Sequence, residues 1–196
     1  MTIAIAALTG AAIRPALADL ARLRIEVFRE WPYLYDGSYA YERDYFANFA
    51  ESTGAVVVVA RDGGRIVGAA TGAPTGGHAE ELAAPFRDAG YDIQPLFYLG
   101  ESVLLRGYRG RGIGHAFFDG REGHARALGG FTHASFCAVV RPADHPQRPA
   151  DYRPLDAFWR KRGYEPVPGL VGSFQWLDIG AAEETAKPMQ YWMKTL

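Results

Sequence analysis

Between Arg106 and His115 three arginines, Arg106, Arg109 and Arg111, interleave with four glycines, Gly107, Gly110, Gly112 and Gly114. Glycines let an anion approach the main chain closely and arginines add fixed positive charge, so the stretch has the chemistry of a phosphate cradle. Two familiar cradles do not fit. A Walker loop needs lysine after its second glycine, and Ile113 follows Gly112. A dinucleotide fingerprint needs a third glycine at a set distance, where His115 or Phe117 stands instead. Just upstream, Glu101 falls by alternation on one face with Phe97, Leu99, Val103 and Leu105. A lone carboxylate on an apolar face is either a base or a structural group paired with an arginine or the backbone. His133, Ser135 and Cys137 alternate in the same way, leaving open an acyl-cysteine route or plain packing. Trp31, Tyr33 and Tyr35, near the acidic Glu30, Asp36, Glu42 and Asp44, suit a cationic amine or an aromatic helix corner. Asp144-His145 lies in a proline-rich loop, fit to shuttle a proton or simply be solvated. The five histidines and single cysteine show no metal-ligand spacing.

These residues need elements to hold them. Phe97–Leu105 reads as a strand broken at Arg106-Gly107, and Ile113, Phe117, Ala125 and Leu128 as the buried face of a following helix. The glycines therefore lie between strand and helix, where free N–H groups and the helix dipole favour an anion. Thr2–Leu8 predicts a first strand. A helix from Pro15 to about Glu30 carries Leu17, Leu20, Leu23, Ile25, Val27 and Phe28. A second helix over Tyr39–Glu51 packs Tyr41, Tyr45, Phe46 and Phe49. Ala55–Ala60 and Arg65–Ala73 form a hairpin around Asp62-Gly63-Gly64. A short helix spans His78–Gly90, a strand Phe131–Val140, a helix Pro154–Arg162, and two strands about Val167–Leu177 and Lys187–Leu196. This order predicts an α/β fold with parallel and antiparallel strand pairs.

Arg109-x-x-Gly112-x-Gly114 resembles the pyrophosphate motif of the GNAT superfamily, the Gcn5-related acyl-CoA N-acyltransferases. Phe158-Trp159-Arg160-Lys161-Arg162-Gly163-Tyr164 is similar to the family's Phe-Tyr-x-x-x-Gly-Phe segment, and the C-terminal stretch to its final strand. The resemblance implies a mixed, splayed central sheet flanked by helices, opening between the Phe97 and Phe131 strands. It implies acetyl-CoA as acyl donor, its pyrophosphate on Arg109, Gly110, Arg111, Gly112, Gly114 and His115, and its pantetheine along Ser102, Val103 and Leu104. Glu101 becomes the expected base, with His145 a further proton carrier, and Trp31, Tyr33 and Tyr35 the acceptor loop. The family's acidic tyrosine is replaced by Trp159. Tyr152 stands where the family has asparagine and is the substitute acid.

Length and a 48% hydrophobic content predict a single domain over residues 1–196. A formal charge of −1 argues against nucleic acid as partner. One cysteine suits a reducing cytoplasm, and MTIAIAALTG has no signal-peptide pattern or membrane span. The expected activity is acetyl transfer to the primary amine of a small molecule. A peptide or protein acceptor, or an acyl-CoA-binding module without turnover, are the alternatives. The last strand pair offers an edge for a homodimer.

Overall fold

The structure is a computed structural model describing residues 2–77 and 80–196. Its elements are β1 Ile3–Thr9, α1 Leu17–Phe28, α2 Tyr39–Ala50, β2 Val56–Asp62, β3 Arg65–Pro74, α3 Glu80–Asp88, β4 Leu96–Leu104, α4 Ile113–Leu128, β5 His133–Val139, α5 Asp156–Lys161, β6 Glu165–Trp176 and β7 Thr185–Thr195. The expected short helix is α3; His78 and Ala79 lie outside the described residues.

The strands form one sheet in the order β1-β2-β3-β4-β5-β7-β6. All neighbours are antiparallel except β4 and β5. That parallel pair is short: Leu96, Phe97 and Tyr98 meet His133, Ala134 and Ser135, and there the register ends. Beyond it β4 runs on to Leu104 and β5 to Val139 without pairing with each other, which makes a fork in the middle of the sheet.

α4 covers one face. A Cβ on Gly68 would meet Leu104 and Phe117, one on Gly72 would meet Phe97 and Arg121, and one on Gly120 would meet Val58. α1 and α2 cover the other face of the same half. Past the fork, α5 packs Trp159 against Phe136 and Trp192, while α3 sets Phe86 on Tyr191 from the opposite side.

The near-continuous apolar run of β2 follows from burial on both faces: Val56, Val57, Val58, Val59 and Ala60 are each at most 1% exposed. Two helix-stripe expectations are corrected. Tyr41 is 59% exposed and Leu128 46%, so neither belongs to the packed side. Glu42 takes the inward place on α2 and Arg121 sits mid-stripe on α4, both essentially fully buried.

Candidate active site

The strand that carries Glu101 does not alternate as expected. Gly72 of β3 pairs with Leu99, but Ala70 pairs with Ser102, so Gly100 and Glu101 together oppose Thr71. This is a β-bulge, and it shifts the phase of the strand by one residue. Cross-strand partners share a face, so Leu99, Ser102 and Leu104 lie on the α4 side, while Val103 lies with Tyr98 on the other. The common face of Phe97, Leu99, Glu101, Val103 and Leu105 is thereby corrected. Gly100 is required: a Cβ there would overlap Thr71 Oγ1.

The bulge turns Glu101 toward α1 and α2. Its Oε2 accepts from Arg24 Nη1 at 3.1 Å and Tyr45 Oη at 3.3 Å, while Oε1 is buried with no partner. Arg24 Nε lies 2.8 Å from Oε2 of the fully buried Glu42, and its guanidinium stands over the Tyr45 and Phe28 rings. Burial works against Arg24's charge, yet Glu101, Tyr45 and Glu42 outweigh it and hold its pKa above the ordinary value. For Glu42 burial wins over the same arginine and raises the carboxyl's pKa. One guanidinium thus serves two carboxylates.

The loop between α1 and α2 carries Trp31, Tyr33 and Tyr35. Tyr33 stacks on Phe28 at 4.3 Å and faces Trp176 at 5.9 Å. Arg141, whose side chain is 8% exposed, donates to Pro32 O (2.9 Å), to Tyr33 O (2.7 Å) and to both oxygens of Asp178. Trp176 Nε1 also donates to Tyr33 O, and Tyr35 bridges to Asp178. The loop between α1 and α2 is therefore pinned to the β6–β7 hairpin. Burial raises Tyr33's pKa, with Cys137 and Glu101 adding and Arg24 opposing, so this phenol stays protonated. Trp31 is covered by the loop after β5: His145 lies 4.9 Å from its ring and Tyr152 meets it edge-on at 5.9 Å. Burial raises Tyr152's pKa as well. His145 Nδ1 accepts from Gln147 N at 3.2 Å.

The glycine turn connects β4 to α4. Arg106–Tyr108 make one 3₁₀ turn, Gly110 and Gly112 have φ of 75° and 79°, and Gly112 caps α4 with no side-chain hydrogen bond. A Cβ on Gly107, Gly110 or Gly112 would touch nothing within 4 Å, so the turn is open to a ligand. Gly114 instead packs near Phe158, as does His115, whose ring lies 4.9 Å away. Arg111 Nη2 donates to Gly107 O. Arg109 is not a free charge: it pairs with Glu30 at 2.8 Å and bonds Leu104 O. A hollow of about 370 Å³ opens beside the turn, lined by Ile3, Ile5, Arg111, Gly112, Ile113 and Ala116. A larger one, about 520 Å³, lies at the other end of α4 between Arg14, Glu51 and His124, and no motif residue lines it. Open glycine backbone at a helix N-terminus fits a pyrophosphate, and the unpaired β4 edge from Leu99 to Leu104 fits a pantetheine arm.

The acyl-cysteine alternative loses its support. Cys137 Sγ lies 3.0 Å from Tyr98 Oη, burial pushes the thiol up to about 12, and His133 Nδ1 is engaged by Thr132. Trp159 is packed between Phe136 and Trp192. Sequence reasoning missed Arg24, Arg121 and Arg141 and counted Glu42 only among the acidic residues near the Trp31–Tyr35 loop. The available signal was a charged residue on an apolar helical stripe: Arg24 sits four from Leu20 and Phe28, Glu42 four from Phe46, Arg121 four from Phe117 and Ala125.

The family model described as the acetyltransferase (GNAT) family matches residues 20–150. No curated protein matches the chain in sequence. Among solved structures, ribosomal-protein-alanine N-acetyltransferase from Brucella melitensis is 16% identical with a TM-score of 0.62, covering 100% of both chains. Arabidopsis thaliana NAA60, in complex with a bisubstrate analogue, is 14% identical with a TM-score of 0.61, over 99% of this chain and 98% of that one. An aminoglycoside 6'-N-acetyltransferase complexed with coenzyme A is 16% identical with a TM-score of 0.60, over 100% of this chain and 97% of that one. At such identities the structures speak for the fold, while the family model spans two thirds of the sequence. This chain belongs to the GNAT acetyltransferase family.

Proposed function

We propose that the chain, as one catalytic domain, moves an acetyl group from acetyl-CoA to the primary amine of a small molecule by direct attack. The observation that carries this reading is the fork between β4 and β5, with the open glycine turn at the end of β4 and the aromatic α1–α2 loop held by the β6–β7 hairpin and by the loop after β5. Three segments meet at those aromatics: the α1–α2 loop, the β6–β7 hairpin and the loop after β5. Aromatics drawn together from three segments suit a small amine better than an extended peptide.

Bound acetyl-CoA supplies the activated acyl group. Backbone N–H groups of Gly110, Arg111, Gly112 and Gly114 hold the pyrophosphate, while His115, whose N–H already donates to Gly112 O at 3.0 Å, borders it, and the Ser102–Leu104 edge holds pantetheine. Arg109 shares its charge with Glu30. Glu101 takes the amine's proton on Oε1, the oxygen left without a partner, while Arg24 and Tyr45 hold Oε2. Tyr152 gives a proton to the departing sulfur, with His145 beside it as the route to solvent. Trp31, Tyr33 and Tyr35 enclose the acceptor.

Glu101→Gln tests this. It keeps the shape and the Oε2 contacts but cannot take a proton. With acetyl-CoA and a panel of tyramine, spermidine, an aminoglycoside and an alanine-initial peptide, kcat/KM at pH 7 should fall by about 10²–10⁴-fold. The deficit should shrink at high pH, where the amine loses its proton unaided. A loss constant across pH would make Glu101 structural. Turnover of the peptide alone would favour the peptide reading, and binding of acetyl-CoA without turnover of any acceptor the binding-module reading.

A further inference from the structure

Arg121 of α4 is 1% exposed. Its Nε donates to Phe117 O at 3.1 Å, its Nη1 to Thr71 O at 3.1 Å, and its Nη2 is buried with no partner. No carboxylate among the described residues is within ion-pair distance of it. The groups that face it are Tyr164, Glu101, Glu122 and Arg162. Glu122 is already held by Arg126, Arg162 and Lys194, and Glu101 by Arg24. Burial lowers the pKa of Arg121 to about 10, which leaves it cationic at neutral pH.

Its position gives this charge a use. Thr71 is the residue opposite Gly100 and Glu101, and a bulge disturbs the ladder at the residue it faces. Arg121 Nη1 supplies a hydrogen bond to the Thr71 carbonyl at that place. Its stem lies against Gly72, level with Leu99, where β4 and β5 part. Eight residues of helix put it about 12 Å from the glycine turn along α4. A cation buried without a counter-ion is costly, and stability alone would be served as well by an apolar side chain of similar length.

We propose that Arg121 is a positioning residue for the acyl group: it braces the bulge through Thr71, and its charge, set 4.9 Å over the Phe118 ring and paired with no carboxylate among the described residues, favours negative charge on the coenzyme's sulfur. The inference rests on the proposed binding of acetyl-CoA in the fork. A unit charge within roughly 10 Å in a protein interior changes an anion's binding by roughly tenfold.

Calorimetry with coenzyme A, whose thiol can ionise, and acetyl-CoA, whose sulfur cannot, reads this without an acceptor. Between pH 6.5 and 9.5 the wild-type preference for coenzyme A over acetyl-CoA should rise by about tenfold more than in Arg121→Met. Arg121→Lys should keep most of the rise, and in both variants any change in acetyl-CoA affinity should be the same at pH 6.5 and 9.5. Equal pH dependence in wild type and Arg121→Met would overturn the inference. So would equal weakening of both ligands at every pH, the mark of a purely structural arginine. If Arg121→Met does not fold, a wild-type preference that does not change with pH is enough to overturn it. Wild-type protein that binds neither ligand would instead remove the cofactor reading.

Discussion

At the residue scale the bulge depends on one missing side chain. Thr71 Oγ1 is buried with no hydrogen-bond partner and fills the space a Cβ on Gly100 would need. Gly100→Ala should therefore destabilise the protein by about 1–3 kcal/mol and displace Glu101 with the strand. Thr71→Ala alone should cost little, because its hydroxyl makes no hydrogen bond, and the double variant should recover most of the stability. Urea denaturation of the four proteins closes the cycle; additive effects would mean that the two positions do not collide. Glu101 itself was legible as a carboxylate in an apolar strand. Its arginine was not, since Arg24 is 77 residues away in the chain and reaches Glu101 only when α1 packs over the sheet.

At the element scale the glycine turn sets where α4 begins. Gly112 sits at φ 79° at the helix cap, with open space where a side chain would be. Gly112→Asp places a non-glycine residue in the left-handed region and a negative charge where the pyrophosphate is proposed to lie. Coenzyme A affinity, measured by calorimetry, should fall at least tenfold, roughly 1.4 kcal/mol or more, while the far-UV spectrum stays unchanged. Gly112→Asn separates the two causes: it keeps the backbone demand, lacks the charge, and should lose less. An equal loss in both variants would assign the effect to the backbone. The strand–turn–helix sequence around this glycine was readable because periodicity and glycine spacing are local properties. The pairing of Arg109 with Glu30 was not, because it joins segments 79 residues apart.

At the scale of the whole molecule, two buried carboxylates should respond to pH in opposite senses. Glu122, 3% exposed, ties α4 to Arg162 after α5 and to Lys194 of β7, and accepts from Tyr164 Oη. Burial pushes its pKa up, but Lys194 and Arg162 pull harder and leave it below the ordinary glutamate value. A carboxylate depressed in the folded state adds stability above its unfolded pKa and loses it as pH falls through the folded one. Glu122→Gln should cost about 3–5 kcal/mol at pH 7 and progressively less below the ordinary glutamate range. Glu42, raised by burial, carries the opposite sign: its ionisation opposes folding as pH rises above the unfolded value. Glu42→Gln should therefore be near neutral or stabilising at pH 7 and bring no such gain in acid. Melting temperatures from pH 3 to pH 8 check both; parallel curves for the two variants would refute the assignment.

The sequence by itself determined the order of elements, the glycine turn and the aromatic loop between the first two helices, because each is written in neighbouring residues: alternation, helical spacing and turn chemistry. It also carried the family resemblance through Arg109-x-x-Gly112-x-Gly114, which the family match over residues 20–150 bears out. Tertiary structure decided what those neighbours could not encode. The bulge at Gly100–Glu101 needs Thr71 opposite it, and it alone changes which face Glu101 occupies. The fork needs β5 to diverge from β4 after Tyr98, which depends on β7 pairing with the whole of β5 from the other side. Arg24, Glu42 and Arg121 looked like flaws in apolar stripes until packing brought two of them together and put the third beneath the bulge. A buried charge is decided by what stands across from it, and that is a property of the fold.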